Sequence, residues 1–172
     1  MPDVLFLPEC FADTALVTML LPSAAVIDHS FGVHNVVKAM KSALANQPMY
    51  KIIGIIDKDV TYKQKYRPPY FDDFAFTDAS NRITYGQKTG TDQHLLMLDK
   101  AVDSFLLWNA EEVSIDVVDY GFSSELREFC KAMKRTTIGS DPNYLRLLTD
   151  LRTRQAPGFI TLERILNDFL TT

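Results

Sequence analysis

The chain has 172 residues, 47% hydrophobic and 11% aromatic, with a formal net charge of −4 and a pI of about 5.3. That is one domain's length with ample material for a core. The acidic balance excludes binding of nucleic acid through wholesale positive charge, although Lys58, Lys63, Lys65 and Arg67 form a local basic cluster.

Val4 to Leu7 is an unbroken apolar run and predicts a first strand, ended by Pro8-Glu9. Ala12, Ala15, Leu16, Met19 and Leu20 then recur at helical spacing, so Phe11 to Leu21 predicts a helix stopped by Pro22-Ser23. Ala24 to Ile27 predicts a second strand, and Asp28 to Gly32 a turn-rich loop. A helix follows from Val33 to Ala45, with Val33, Val36, Val37, Met40 and Leu44 as its apolar face. Lys51 to Ile56 is rich in β-branched residues and predicts a strand buried on both faces, as in a parallel sheet. Strand, helix, strand, helix, strand implies right-handed crossovers and a mostly parallel open sheet with flanking helices.

The alternation breaks from Val60 to Asp92. Tyr62, Tyr66, Tyr70, Phe71, Phe74 and Phe76 alternate with charges and Pro68-Pro69, which predicts a long packed excursion. Short strands are expected at Phe74 to Phe76 and Arg82 to Tyr85. Leu95 to Leu98 predicts a further strand, with Asp99 as the cap of a helix from Lys100 to Trp108. Ala110 to Gly121 reads as strand or loop. Ser123 is the expected cap of a helix carrying Leu126, Phe129, Cys130 and Met133. Asp141-Pro142 predicts the start of a helix with Leu145, Leu148 and Leu151, and Ala156-Pro157-Gly158 its end. Thr161 is the expected cap of the last helix. The whole reads as a single α/β domain, residues 1–172, with a helical C-terminal half.

Cys10 and Cys130 stand in no metal-ligand spacing and read as two reduced, packed thiols. The start Met1-Pro2-Asp3 lacks the basic region of a signal peptide, and no apolar run nears the roughly 18 residues of a membrane helix. The expectation is a soluble cytoplasmic protein with no membrane partner.

Three acids fall where strands end: Glu9 after the first, and Asp57 and Asp59 after the third. In a parallel sheet these ends share one edge, where ligands gather. Carboxylate oxygens suit a hard cation, and magnesium needs only one or two carboxylates because it keeps several waters. Such an ion commonly serves phosphoryl chemistry.

Glu9-Cys10-Phe11-Ala12-Asp13, after an apolar strand and opening a helix, resembles the first motif of Toprim domains. Ile55-Ile56-Asp57-Lys58-Asp59 resembles their Asp-x-Asp motif. Ser30-Phe31-Gly32-Val33-His34-Asn35-Val36 is similar to the glycine-containing turn before the second helix in the overcoming-lysogenisation-defect (OLD) group of Toprim nucleases. The resemblance covers Val4 to Asp59, a third of the chain. It implies that Glu9 is a metal ligand or general acid/base and that Asp57 and Asp59 bind magnesium, with manganese as substitute. It also implies nuclease-like chemistry on a nucleic-acid phosphodiester. Asp103 is the nearest match to a further acid that opens a later helix in OLD-type members. Two departures are Cys10, where many members carry glycine, and Pro8 before the acid.

Candidate substrate contacts are Asp13, Ser30, Gly32, His34, Asn35 and Lys58. Competing readings make Asp13 a first-turn acid held by the helix dipole and Asp59 a turn residue. They also make His29 and His34 surface or hydrogen-bonded groups and His94, at the head of an apolar strand, a structural one. Lys58, Lys63, Lys65 and Arg67 would touch phosphates while Tyr62, Tyr66 and Tyr70 stack on bases, or the segment is a loop covering the sheet edge. Tyr85 to Thr91 mimics a phosphate loop without its spacing. The leading function is magnesium-dependent phosphodiester chemistry. The alternatives are a non-catalytic module that docks on a protein partner, which the acidic pI and Cys10 favour, and a nucleotide-binding or phosphatase-like protein. Aromatic residues of the excursion would suit a homodimer.

Overall fold

A computed structural model describes residues 3–46, 49–58, 68–77 and 80–171. The first five elements are β1 (Val4–Pro8), α1 (Phe11–Leu20), β2 (Val26–Ile27), α2 (Val33–Asn46) and β3 (Lys51–Lys58). A 3-10 turn (Pro69–Asp73) then leads to β4 (Phe74–Thr77), β5 (Ile83–Lys88) and β6 (Gln93–Asp99). The rest is helical: α3 (Val102–Glu112), α4 (Leu126–Met133), α5 (Pro142–Thr153) and α6 (Pro157–Thr171), with 3-10 turns at Val117–Tyr120 and Ile138–Ser140.

One six-stranded sheet runs β2-β1-β3-β6-β5-β4. β2, β1, β3 and β6 are parallel, whereas β6, β5 and β4 form an antiparallel meander. The sheet is therefore mixed, and the excursion contributes the hairpin between the third and fourth parallel strands. β1 lies directly beside β3, with Leu5 opposite Ile52 and Pro8 opposite Ile55.

β3 divides two cores because alternate side chains point to opposite faces. Ile53 and Ile55 pack with α1 and with Phe105, Phe129, Tyr144 and Phe159 from the C-terminal helices. Ile52 and Ile56 pack with Val36, Val37 and Met40 of α2 and with Phe71 and Phe74. Gly54 sits where α2 crosses: a Cβ there would meet Met40 Sδ and Leu95 Cδ1, both at 3.0 Å, and Val36 Cγ1 at 3.1 Å.

Several expected boundaries shift. α3 begins at Val102 behind Ala101, and Asp99 is not its cap. Its first turn is capped from another strand, as described below. Ala110 to Gly121 holds the end of α3 and a 3-10 turn rather than a strand. α4 starts after Glu125, whose N–H donates to Ser123 Oγ, so Ser123 orders the approach rather than the helix itself. α6 starts at Pro157, so Thr161 is internal and accepts a hydrogen bond from Asn81 Nδ2 at 2.8 Å. Proline at the first turn starts a helix as readily as it stops one. Asp141 caps α5 as expected, through Asn143 and Tyr144 N–H. Leu44, Leu126 and Leu145, assigned to apolar faces, are exposed.

Candidate functional site

Parallel neighbours bring the carboxyl ends of β1 and β3 together. Glu9 N–H donates to Ile55 O at 2.9 Å, and Glu9 Oε2 accepts from Asp57 N–H at 3.1 Å. The two strand-end acids are thus linked.

Cys10 opens α1 with a reciprocal cap. Its Sγ accepts from Asp13 N–H at 3.4 Å, and Asp13 Oδ2 accepts from Cys10 N–H at 3.1 Å. Sulfur takes the place that serine or threonine holds in a capping box. Asp13 is fully buried, and among the described residues its Oδ1 has no hydrogen-bond partner. Tyr144 of α5 packs nearby, its phenol donating to Ala12 O at 3.0 Å. Burial and the Asp13 charge push that phenol well above its ordinary range.

Asp57 Oδ1 accepts from Val102 N–H at 2.8 Å, so a strand-end acid satisfies the open first turn of α3. Asp103 follows on that turn, 6% exposed, its Oδ1 accepting from Ser104 N–H and Ser104 Oγ.

The electrostatics follow from this crowding. Burial raises the Asp13 carboxyl to about 7; Glu9 and Asp103 add to the rise, and the Cys10 hydrogen bonds oppose it. Burial raises Asp57 to about 9, with Asp13, Glu9 and Asp103 adding and Val102 N–H opposing. Charges that disfavour one another in this way lie close together. Among the described residues, no lysine or arginine pairs with or hydrogen-bonds to Asp13, Asp57 or Asp103. Burial, with the Asp13 and Asp57 charges added, pushes the Cys10 thiol far up.

The β2–α2 loop is fastened to this rim. Ser30 N–H donates to Pro8 O at 3.0 Å and Gly32 N–H to Glu9 O at 2.9 Å. Gly32 adopts φ +101°, which glycine tolerates, and its carbonyl accepts from Val36 N–H at the start of α2. Ser30 Oγ is buried without a partner among the described residues. His34 and Asn35 are exposed on the first turn of α2, with Asn35 Nδ2 donating to Phe31 O at 2.8 Å.

Lys58 is not brought to the acids. It takes the opposite face of β3 from Asp57, and its Nζ donates to Thr84 Oγ1 at 3.2 Å. Asp59, Tyr62, Lys63, Lys65, Tyr66 and Arg67 lie outside the described residues. Tyr70 is committed to packing: it contacts Phe71 and Phe74 and donates to Gln93 Oε1. Lys88 pairs with Asp73 at 2.7 Å rather than lining a phosphate loop.

The charges around Asp13 therefore come from Glu9, Asp57 and Asp103. Sequence reasoning missed the buried Tyr144 beneath Asp13 and the aromatic contacts of Phe11, His29 and Phe31. Phe31-Gly32 was a usable signal, since an aromatic beside a turn glycine has little local reason to be there. Among the described residues, no three His, Cys, Asp or Glu side chains stand as a ready metal shell. The chain matches no protein-family model, no curated protein and no solved structure in the three comparisons made.

Proposed function

We propose that the chain is a Toprim-like protein of the OLD type whose carboxylate rim holds magnesium, or manganese in its place, for cleavage of a nucleic-acid phosphodiester. The observation that carries this reading is the joined rim: Glu9 Oε2 accepts from Asp57 N–H, and burial, followed by the charges of Asp13 and Glu9, raises the Asp57 carboxyl to about 9. Unpaired buried charge is costly, and a divalent ion relieves it by replacing protons.

The donor set fits the ion. All the groups are hard oxygens, and magnesium needs only one or two of them beside its waters, so the lack of a ready three-ligand shell is no obstacle. Asp57 and Glu9 would hold the ion, with Asp59 following on the same chain segment. Asp13 and Asp103 stand behind them and set the field. A bound magnesium supplies charge neutralisation at the phosphate and a more acidic water. With the ion bound, Glu9 would take a proton from the water whose oxygen bonds to phosphorus as the bond to the leaving oxygen breaks, and that oxygen, released as an alkoxide, would take one proton from solvent. Asp57 also fixes the start of α3 through Val102 N–H, so that the rim and the helix keep one geometry.

A second reading, a non-catalytic module that docks on a protein, draws on one observation. Glu9, Asp13 and Asp57 each accept a backbone N–H, as purely structural caps would. The two separate in one experiment. Labelled single- and double-stranded DNA and RNA are incubated with the protein in magnesium, manganese or EDTA. Metal-dependent cleavage that disappears in Glu9→Ala and in Asp57→Ala, both still folded, supports catalysis. Intact strands of all four kinds with wild-type protein in both metals would remove it.

A further inference from the structure

Three aromatic rings meet beside the carboxylate rim. Phe11 stacks on His29 at 4.3 Å between centroids and 24° between planes. Phe31 lies edge-to-face with His29 at 4.0 Å and with Phe11 at 5.5 Å. Neither neighbour lies flat against Phe31, which is 65% exposed. A flat partner can therefore still be added to this ring.

Phe31 is held there at a cost. Its φ is +53°, a conformation that bulky L-residues rarely adopt and that costs about 1 kcal/mol or more. Burial does not repay this, since the ring is largely in water. The loop is nonetheless locked on both sides, by Ser30 N–H on Pro8 O and Gly32 N–H on Glu9 O, and its carbonyl accepts from Asn35.

Hydrogen bonds tie the platform to α1. Thr14 Oγ1 has one hydrogen and gives it to Cys10 O at 2.8 Å. A 2.7 Å contact joins Thr14 Oγ1 to His29 Nδ1, with its direction set by the imidazole tautomer. His29 also makes a hydrogen bond to the Cys10 backbone, so its ring is held against the start of α1. A flat aromatic ligand fits the open face of the Phe31 ring better than an aliphatic protein face would.

We propose that Phe31, backed by His29 and Phe11, is a stacking platform for an unpaired nucleobase, so that the strand presented to Glu9 and Asp57 is single-stranded. This rests on the reading of the rim as a phosphodiester site and adds its substrate class. Stacking needs a base free of its duplex, and one aromatic face serves any base.

Fluorescence anisotropy with end-labelled oligonucleotides tests it, in calcium. The probes are one single strand, its duplex, and the same strand with an abasic site at each position in turn. The single strand is expected to bind more tightly than the duplex, and one abasic position to weaken it. Phe31→Ala is expected to lose roughly tenfold in affinity, the order of one stacked base, and Phe31→Trp to retain it. Melting temperatures should be unchanged, because Phe31 is exposed. Equal binding of all the probes, undiminished binding by Phe31→Ala, or a dimer that Phe31→Ala dissociates without any strand binding would each overturn the platform. Parallel cleavage assays in magnesium keep the two claims apart. Cleavage abolished by Asp57→Asn but indifferent to Phe31 removes only the platform. Phe31-dependent strand binding without metal-dependent cleavage removes only the catalytic reading.

Discussion

The two ends of the parallel strands treat buried polar groups in opposite ways. At the amino end of β6, Gln93 is fully buried, donates to Met40 O at 2.8 Å and accepts from the Tyr70 hydroxyl. His94 follows, its Nδ1 bonded to the Tyr85 hydroxyl and its Nε2 to Asp92, both at 2.8 Å, with Phe169 against the ring at 4.8 Å. This network joins α2, the hairpin and α6 to the sheet. At the carboxyl end, Asp13, Asp57 and Asp103 crowd together without a cationic side chain among the described residues, and one oxygen is left over. Partnered polar groups specify a fold, and under-partnered ones store free energy that a ligand can release.

On the proposed function, the largest effect that separates the two ends is on cleavage. Glu9→Gln and Asp57→Asn should each lower metal-dependent cleavage by at least about 100-fold, the scale of a positioned acid/base or charge. Asn at position 57 can still accept from Val102 N–H, so the fold should survive. Cleavage rates at saturating metal check this. If His94→Ala were equally damaging to cleavage without unfolding the chain, the division between the ends would be wrong.

Stability should respond in the reverse order. His94→Ala strands the Tyr85 hydroxyl in a half-buried site and is expected to lose about 1–3 kcal/mol in urea unfolding. Asp13→Asn removes the charge that burial opposes, and at pH 8 without metal it should unfold at a higher urea concentration than wild type.

The ends should also titrate with opposite signs. Burial raises Asp13 to about 7 and Asp57 to about 9, from an unfolded value of about 3.9. The folded state then binds more protons than the unfolded chain, so metal-free stability is full below about pH 4 for these groups and falls as pH rises through 7 to 9. Burial lowers His94 from its ordinary value near 6.5. Its contribution is present above that value and is lost as pH falls through the lower folded value. Urea unfolding in EDTA across pH 4 to 9 should show both limbs. Asp13→Asn should flatten the alkaline one and His94→Gln the acidic one.

How legible all this is from sequence depends on whether the cause is local. The βαβαβ run follows from apolar runs and helical spacing within each segment, and Asp141-Pro142 marks α5 by itself. The start of α3 was displaced because its cap is Asp57, 45 residues away. The strand β6 begins two residues before the apolar run Leu95 to Leu98, because Gln93 and His94 are buried by partners that the local sequence does not show. The meeting of Glu9 and Asp57 could be read, since neighbouring parallel strands share a rim. The burial of Asp13 could not, because Tyr144 closes over it from 131 residues further along. Lys58 follows Asp57 in sequence, but strand alternation sends it to the other face.

That alternation gives the smallest expected effect. Lys58→Ala should change stability by no more than about 0.5 kcal/mol and leave the cleavage rate near that of wild type. A large loss of cleavage would show that Lys58 leaves Thr84 to serve the rim.

The most direct test of the rim as a cation site is a calorimetric titration of metal-free protein with magnesium at pH 8, repeated in two buffers of different ionisation heat. The expected result is saturable binding whose heat differs between the buffers, because the ion displaces protons from the raised carboxyls, and which is lost in Asp57→Asn. No saturable heat in either buffer, or the same binding by Asp57→Asn as by wild type, would contradict it.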